Sequence, residues 1–503
     1  MAEPTIYGTV ITTEDSPSVS GFAFVIHSEN SGVKRGQFVS VKTVEGTAIA
    51  TISNIFKTNK YFESAGSVRE YSKTTEMYTA FPIKEWEYTV AETKLLGVYA
   101  KDGSLQRASF PPSPGIEVTE VDLQLLNRFL GLDQERGIDL GEIQQHNLKA
   151  KFNLTKMIQK HMAILAISGA GKSYATAVFM EELLSRDPKQ GRIALFVVDN
   201  HGEYVNFADD IDFKERVKII DGEDVRLAVK NTGERMFAAL LPEMSPVQIR
   251  ELGKVLHHLK NEKHTFELND VIDAVKDSED IKKASRDALV GWLSELEDLK
   301  IFAQDDYPGY ENLLEQGRMV ILNLRNVLDL RRKQLIVRQF STKFFNLRRD
   351  GKVPPYLEII EEAHNFCPEG TRSSEALSRH IIELLAREGR KFYANLCLIS
   401  QRPVQLSTTA LSQCNTQIIL KITNPYDLDH IKKSSEAISQ STLDIVNSLK
   451  VGEGLVIGEA VNYPVFIKVR KRKSKESHGT KLEDYAIMYE KKENKLASGK
   501  EFL

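Results

Sequence analysis

The sequence predicts an α/β fold with a parallel sheet, preceded by a small all-β domain and interrupted by a helical insert. Three observations predict it. From His161 onward, short continuous apolar runs alternate with helical patterns, as in strands buried on both faces and covered by helices. Before that point, from Thr5 to about Ile116, the pattern is short, alternating and punctuated by Gly, Ser, Asn and Asp, which is the pattern of strands joined by turns. Between Glu243 and Phe302 the periodicity is helical only.

The first strands are read at Ile6–Ile11, Gly21–Ile26 and Gln37–Val41, and the fold they imply is a small β-barrel or sandwich. Pro111-Pro112-Ser113-Pro114-Gly115 is an exit turn. A short helix is expected over Val121–Leu130, then a polar connection from Leu140 to Leu154. The apolar runs of the α/β part are Met162–Ala166, Ile193–Val198, Met319–Leu322, Leu357–Ile360, Leu396–Ile399 and Ile418–Leu420, with helices over Tyr174–Leu184, Lys333–Leu347 and Glu375–Glu388. In the insert, Ile249, Leu252, Val255 and Leu256 recur at helical spacing. Val271, Ile272 and Val275 do the same, as do Leu289, Trp292, Leu293 and Leu296. The expected domains are 1–155 (barrel and linker), 156–242 with 303–470 (α/β domain), 243–302 (helical bundle) and 471–503 (a basic, flexible tail).

A chain of 503 residues exceeds what one core supports, so several domains are expected. It is 41% hydrophobic and 27% charged, with formal net charge −3. There is no global positive field to gather nucleic acid or anionic membrane, and such binding needs local basic patches. Cys367, Cys397 and Cys414 have neither disulfide-framework nor zinc spacing and read as small apolar residues in a reduced compartment. No signal-peptide pattern or membrane-length apolar run is present, and the expected location is cytoplasmic, with no membrane contact.

The first apolar run leads into Ser168-Gly169-Ala170-Gly171-Lys172-Ser173, followed by Tyr174 and a helical pattern. This is the P-loop arrangement, except that Ala166 stands where the first Gly is usual. Glycines let backbone N–H groups turn inward as an anion nest at a helix N-terminus. Lys172 is placed on the β- and γ-phosphates of ATP, and Ser173 on Mg²⁺, which prefers hard oxygen ligands. The domain is therefore expected to be a RecA-like P-loop NTPase domain.

Such a site also needs carboxylates at a neighbouring strand end. Glu361 and Glu362 follow the run Leu357–Ile360; Glu361 is the expected metal-side carboxylate, where Asp is usual, and Glu362 the expected base. Gln401 follows another apolar run and suits sensing of the γ-phosphate. Asp199 and Glu203 follow Val197–Val198 and are expected to face nucleotide or metal. Arg387 and Arg390 lie near a helix end, where one of them is suited to reach a neighbouring subunit's phosphate.

Taken in order, these segments resemble the HerA family of archaeal DNA translocases, in the FtsK–HerA group. The set is the N-terminal barrel, Ser168–Ser173, Asp199–Tyr204, the helical insert, Glu361–Phe366, Arg387–Phe392, Ser400–Pro403 and Leu411–Thr416, and the resemblance spans about Tyr7 to Arg470. It implies an ATP-driven translocase or helicase on double-stranded DNA, assembled as a homo-oligomeric, hexameric ring. It also implies a NurA-type nuclease held by the barrel, and a role in end resection during double-strand break repair. On matching positions it implies Lys172 and Ser173 for ATP and Mg²⁺, Glu362 as the catalytic carboxylate, Gln401 as the sensor and Arg387 as the finger in trans. Thr371-Arg372-Ser373-Ser374 and the basic run Lys468–Lys475 are the places considered for pore contacts with DNA. Two other readings fit the same motifs: a ring ATPase that moves protein, and an ATP-gated ring scaffold that activates a nuclease or antiviral effector.

Overall fold

The structure, a computed structural model, describes residues 4–14, 16–27, 32–59, 62, 87–370, 376–434, 440–476 and 483–490. The chain forms two compact units. One comprises Met1–Met157, Thr416–Leu428 and Ser435–Arg470; the other comprises Ile158–Asn415, Asp429–Ser434 and Lys471–Leu503.

In the first unit, Ile6–Ile11, Ala23–Ile26, Phe38–Lys42, Gly46–Asn59, Glu87–Ala100 and Glu117–Glu120 close into an antiparallel six-stranded barrel. Closure comes from pairing of Ala23–Val25 with Val90–Glu92, which leaves no open edge between those strands. Its interior is filled by Tyr7, Val10, Phe22, Phe24, Val39, Val41, Ile52 and Val118. The expected exit helix is Leu123–Leu130, capped by Asp122 and ended by Gly131 at φ 73°.

Two expectations change in this unit. The segment read as a polar connection, Leu140–Leu154, overlaps the hairpin Ile138–Ile143 and Lys149–Phe152. Its buried residues Leu140, Ile143, Ala150 and Phe152 are separated by polar ones, and that spacing hid the strands. The run Ile418–Leu420, expected in the parallel sheet, belongs to Thr416–Ile419, which pairs antiparallel with Glu453–Gly458. A continuous apolar run marks burial on both faces and does not by itself fix strand direction.

The second unit carries a parallel sheet of six strands. In chain order these are β1 (Met162–Leu165), β2 (Ala194–Asp199), β3 (Val217–Asp221), β4 (Met319–Asn323), β5 (Tyr356–Ile360) and β6 (Ala394–Ser400). Side by side they run β3-β4-β2-β5-β6-β1. Every residue of β1, β2, β5 and β6 is buried, as their apolar runs require. Strand β3 escaped the sequence reading because Val217–Asp221 is only partly buried and mixes charged with apolar residues.

Helices of this unit include α1 (Lys172–Ser185), α2 (Glu234–Leu240), α3 (Pro246–Glu262), α4 (Leu268–Asp277), α5 (Lys283–Glu297), α6 (Leu330–Arg349), α7 (Arg379–Glu388) and α8 (Thr408–Leu411). Helices α3–α5 lie within the expected insert 243–302 and α2 precedes it; parallel pairing of Leu227–Ala228 with Phe302–Ala303 joins the chain on either side of α2–α5. Helix α3 begins with a capping box between Ser245 and Gln248 and with Pro246 at its first position. Helix α6 lays Phe340 and Phe344 against Phe196 of β2, with ring centroids 5.5 and 4.9 Å away. Burial of each such ring stabilises the fold by about 2–3 kcal/mol.

Residues 471–476, expected to be part of a flexible tail, are laid along α1. The Glu181 carboxylate, fully buried, accepts hydrogen bonds from Lys473 N (2.9 Å), Ser474 N (2.7 Å) and Ser474 Oγ (2.7 Å). Lys475 N donates to Asp210 (3.0 Å), and the Arg472 guanidinium sits 5.5 Å over the Phe207 ring. A buried carboxylate needs such donors, so this part of the basic run is held by backbone groups. Thr371–Ser374 lie outside the described residues.

Candidate nucleotide site

The parallel register brings the expected residues to one edge of the sheet. Leu165 of β1 pairs with Ser400 of β6, Leu398 of β6 with Ile360 of β5, and Ile360 with Val198 of β2. The residues at or just after these strand ends, Ala166, Gln401, Glu361–Glu362 and Asp199, therefore emerge side by side. This is the end at which open α/β sheets bind ligands.

Between β1 and α1 the chain turns through Gly169 at φ 76° and Gly171 at φ 91°. Both angles lie in the left-handed region that glycine adopts freely. Gly171 is the N-cap of α1 and supplies no side chain to the helix start, an arrangement suited to receiving an anion. Ala166 lies before the turn. It is buried, its N–H donates to Ser400 O (3.2 Å), and its φ is not positive. Nothing at this position requires glycine, which explains how the departure from the usual pattern is tolerated.

Lys172 is 6% exposed and ion-paired with Glu362 Oε1. The same oxygen accepts from Gln401 Nε2 (2.6 Å), so three expected residues meet at one point. Glu362 has φ 48° and ψ 47°, a left-handed conformation that is costly for a residue with a side chain. Such strain persists where the surroundings enforce it, commonly at functional sites. His364 lies behind: its Nδ1 is 3.1 Å from Ser400 Oγ and 3.4 Å from Glu362 Oε2. Burial holds its pKa below the ordinary range, against the opposing pull of Glu362.

Glu361, Asp199 and Glu203 form a second layer. Asp199 is fully buried and accepts from Gly202 N (2.8 Å), Glu203 N (2.9 Å) and Tyr204 N (2.9 Å). Glu361 Oε2 accepts from Asn200 N (3.0 Å) and His201 N (3.3 Å). Both carboxyls thus also shape the loop after β2. Burial pushes the pKa of Glu361 far up, with Glu203 and Asp199 adding repulsion; burial also raises Asp199. Tyr174, expected at the nucleotide, turns its hydroxyl to accept from Arg472 N (2.6 Å).

For Mg²⁺, the available hard oxygens are the Ser173 hydroxyl and this carboxyl layer, whose mutual repulsion a cation would relieve. Among the described residues no group of three or more His, Cys, Asp or Glu can hold a metal by itself. Mg²⁺ is commonly held by one or two protein oxygens together with phosphates and water.

Sequence reasoning missed Lys333. Its Nζ donates to Asn200 Oδ1 (2.7 Å) and Asn200 O (3.3 Å), and burial lowers its pKa while Glu361 and Asp199 raise it. A signal was present. Arg331, Arg332 and Lys333 crowd the first turn of α6, where the helix dipole disfavours cations.

Arg387 and Arg390 are not brought to this edge. They sit on α7 and in the 3₁₀ turn Gly389–Phe392, just before β6 begins at Ala394. Gln401 follows the other end of that strand, about 20 Å away at ~3.3 Å per residue. Both side chains are exposed, and neither reaches the Lys172 of its own chain.

Residues 138–344 match the family model described as the central domain of helicase HerA. The chain is HerA-like. It is 27% identical to the DNA double-strand break repair helicase HerA of Pyrococcus furiosus, over 90% of each protein. It is also 26% identical to the Sulfurisphaera tokodaii HerA, over 88% of this chain and 90% of that one. A probable helicase of Methanocaldococcus jannaschii is 27% identical over 87% of this chain and 86% of its own length. Among solved structures, VirB4 of Thermoanaerobacter pseudethanolicus superposes with TM-score 0.53 at 16% identity, covering 68% of this chain and 98% of that one. The bacterial conjugative coupling protein TrwBΔN70 gives 0.50 at 10% identity, covering 71% and 94%. These two likenesses show a shared fold.

Proposed function

We propose that the chain is an ATP-driven translocase or helicase on double-stranded DNA, working in DNA end resection and double-strand break repair. The observation that carries this reading is the meeting of Lys172, Glu362 and Gln401 beside an uncapped helix N-terminus. The proteins named HerA that resemble the chain over most of its length are double-strand break repair helicases, which supplies the substrate class.

The chemistry follows from the residues. The N–H groups around Gly169–Ser173 and the Lys172 ammonium bind the ATP phosphates, and Lys172 leaves Glu362 to do so. Glu362, released from that pair and held by Gln401, accepts a hydrogen bond from the attacking water and orients it. Ser173 and Glu361 would hold Mg²⁺, which, when bound, would supply neutralisation of charge on the phosphates. Arg387, remote from its own site, serves the phosphate of the next subunit in a hexameric ring. Contacts to the DNA backbone would be independent of sequence and sensitive to salt. A NurA-type nuclease docked on the N-terminal barrel completes the proposed assembly.

Displacement of a third strand from linear duplex DNA tests translocation. ATP-dependent displacement is expected. ATP turnover without displacement would favour a ring scaffold or a protein-moving ring.

A further inference from the structure

Arg387 lies one helical turn after Glu383 on α7. Glu383 Oε1 accepts from Arg379 Nε (2.8 Å) and from the Ser407 hydroxyl (2.6 Å), while its Oε2 faces Arg387 Nη1 at 3.8 Å. Ser407 is fully buried and is the N-cap of α8. It also ends the segment that starts at Gln401.

That segment is fastened along its length to the stretch after Glu362. Ser407 N donates to Cys367 O (2.9 Å), and Glu369 N donates to Gln405 O (2.8 Å). Thr408 N donates to the Glu369 carboxylate (2.6 Å). Ser378, at the start of α7, donates its hydroxyl to Phe366 O (2.6 Å). The two residues that touch at the phosphate site, Glu362 and Gln401, each begin a strap, and the straps are joined to each other and to α7. Ser407 is where they meet Glu383.

We infer that Glu383 is a positioning residue that ties the state of its own subunit's phosphate site to the orientation of the arginine offered to the next subunit. A shift of Gln401 or Glu362 moves the straps, and the buried Ser407 hydroxyl transmits the shift to the Glu383 carboxylate. The Glu383–Arg387 contact is long and its arginine is 45% exposed. Such a pair is weak, so a small displacement of the carboxylate redirects Arg387. Spatial continuity alone does not demonstrate coupling; a cycle of substitutions does. The inference rests on Arg387 acting in trans, as proposed above.

The test is ATP hydrolysis against ATP concentration for wild type, Glu383→Gln, Ser407→Ala, the double variant and Arg387→Ala, with thermal midpoints measured alongside. Arg387→Ala is expected to lose roughly a thousand-fold in kcat. Glu383→Gln keeps an oxygen for the Ser407 hydroxyl but loses the charge that holds Arg387. It and Ser407→Ala should each lower kcat about ten-fold, leave KM nearly unchanged and flatten any sigmoidal dependence on ATP. The double variant should be no worse than the worse single one, because both break one link. Multiplying effects would overturn the inference. So would wild-type kinetics in Glu383→Gln alongside an inactive Arg387→Ala. Wild-type turnover in Arg387→Ala would overturn the trans arginine itself, and with it this link. If Ser407→Ala fails to fold, Glu383→Gln alone decides.

Discussion

Lys172 and Glu362, 190 residues apart in sequence, close a buried ion pair between the start of α1 and the end of β5, with each side chain 5% exposed. The lysine of the phosphate loop and the carboxylate proposed to orient water are thus held by one another. Removing either partner leaves a buried charge without its counterion.

Lys172→Ala is expected to abolish ATP hydrolysis and to destabilise the fold by about 3 kcal/mol, the usual cost of breaking a buried pair. A turnover assay and a chemical melt check both. Glu362→Gln retains the hydrogen bond from Gln401 through its amide oxygen. It should bind ATP with turnover reduced at least ~100-fold, which nucleotide retention on a filter separates from loss of binding.

Arg387→Ala protein and Lys172→Ala protein are each expected to be inactive alone. If Arg387 serves the neighbouring subunit, mixing the two restores some interfaces with both groups intact. Turnover should reappear after subunit exchange. Its absence in verified mixed assemblies would contradict action in trans.

Glu358, fully buried on β5, accepts from Ser341 Oγ at 2.5 Å, and burial raises its pKa from 4.5 to about 7. The native state therefore holds this proton over a window where the unfolded chain has released it. Stability is lost as pH rises from about 4.5 to 7 and the loss is complete above it. Glu358→Gln removes that dependence. Relative to wild type, the variant should gain about 3 kcal/mol between pH 4.5 and pH 8, measured by urea melts at several pH values.

Truncation after Arg470 deletes the three hydrogen bonds that Glu181 accepts from Lys473 and Ser474. The melting midpoint should fall, with a loss of about 1–3 kcal/mol. An unchanged midpoint would show that the strap adds nothing to the fold.

Much of the site was legible in the sequence because phosphate chemistry imposes local patterns. Gly169, Gly171, Lys172 and Ser173 follow one apolar run, and Glu361, Glu362 and Gln401 follow two others. Parallel pairing then aligns them. What was not legible depends on burial and on long-range contact. Glu361 and Asp199 read as ligands, and their further task, accepting backbone N–H groups of the loop after β2, was not visible. Lys333 contacts Asn200 from a helix 133 residues away in sequence. In the fold, the strand within Thr416–Ile419 was visible but its direction was not, because its pairing with Glu453–Gly458 rests on a connection that composition does not specify.

In the proposed function, ATP hydrolysis at Lys172 and Glu362 drives movement on duplex DNA. The most direct measurement is the ATP hydrolysis rate of the wild-type protein with and without linear duplex DNA, with Lys172→Ala as the background. DNA should stimulate the rate several-fold, and the stimulation should fade as salt is raised. A wild-type rate indifferent to DNA at low salt, or one that persists in Lys172→Ala, would contradict it.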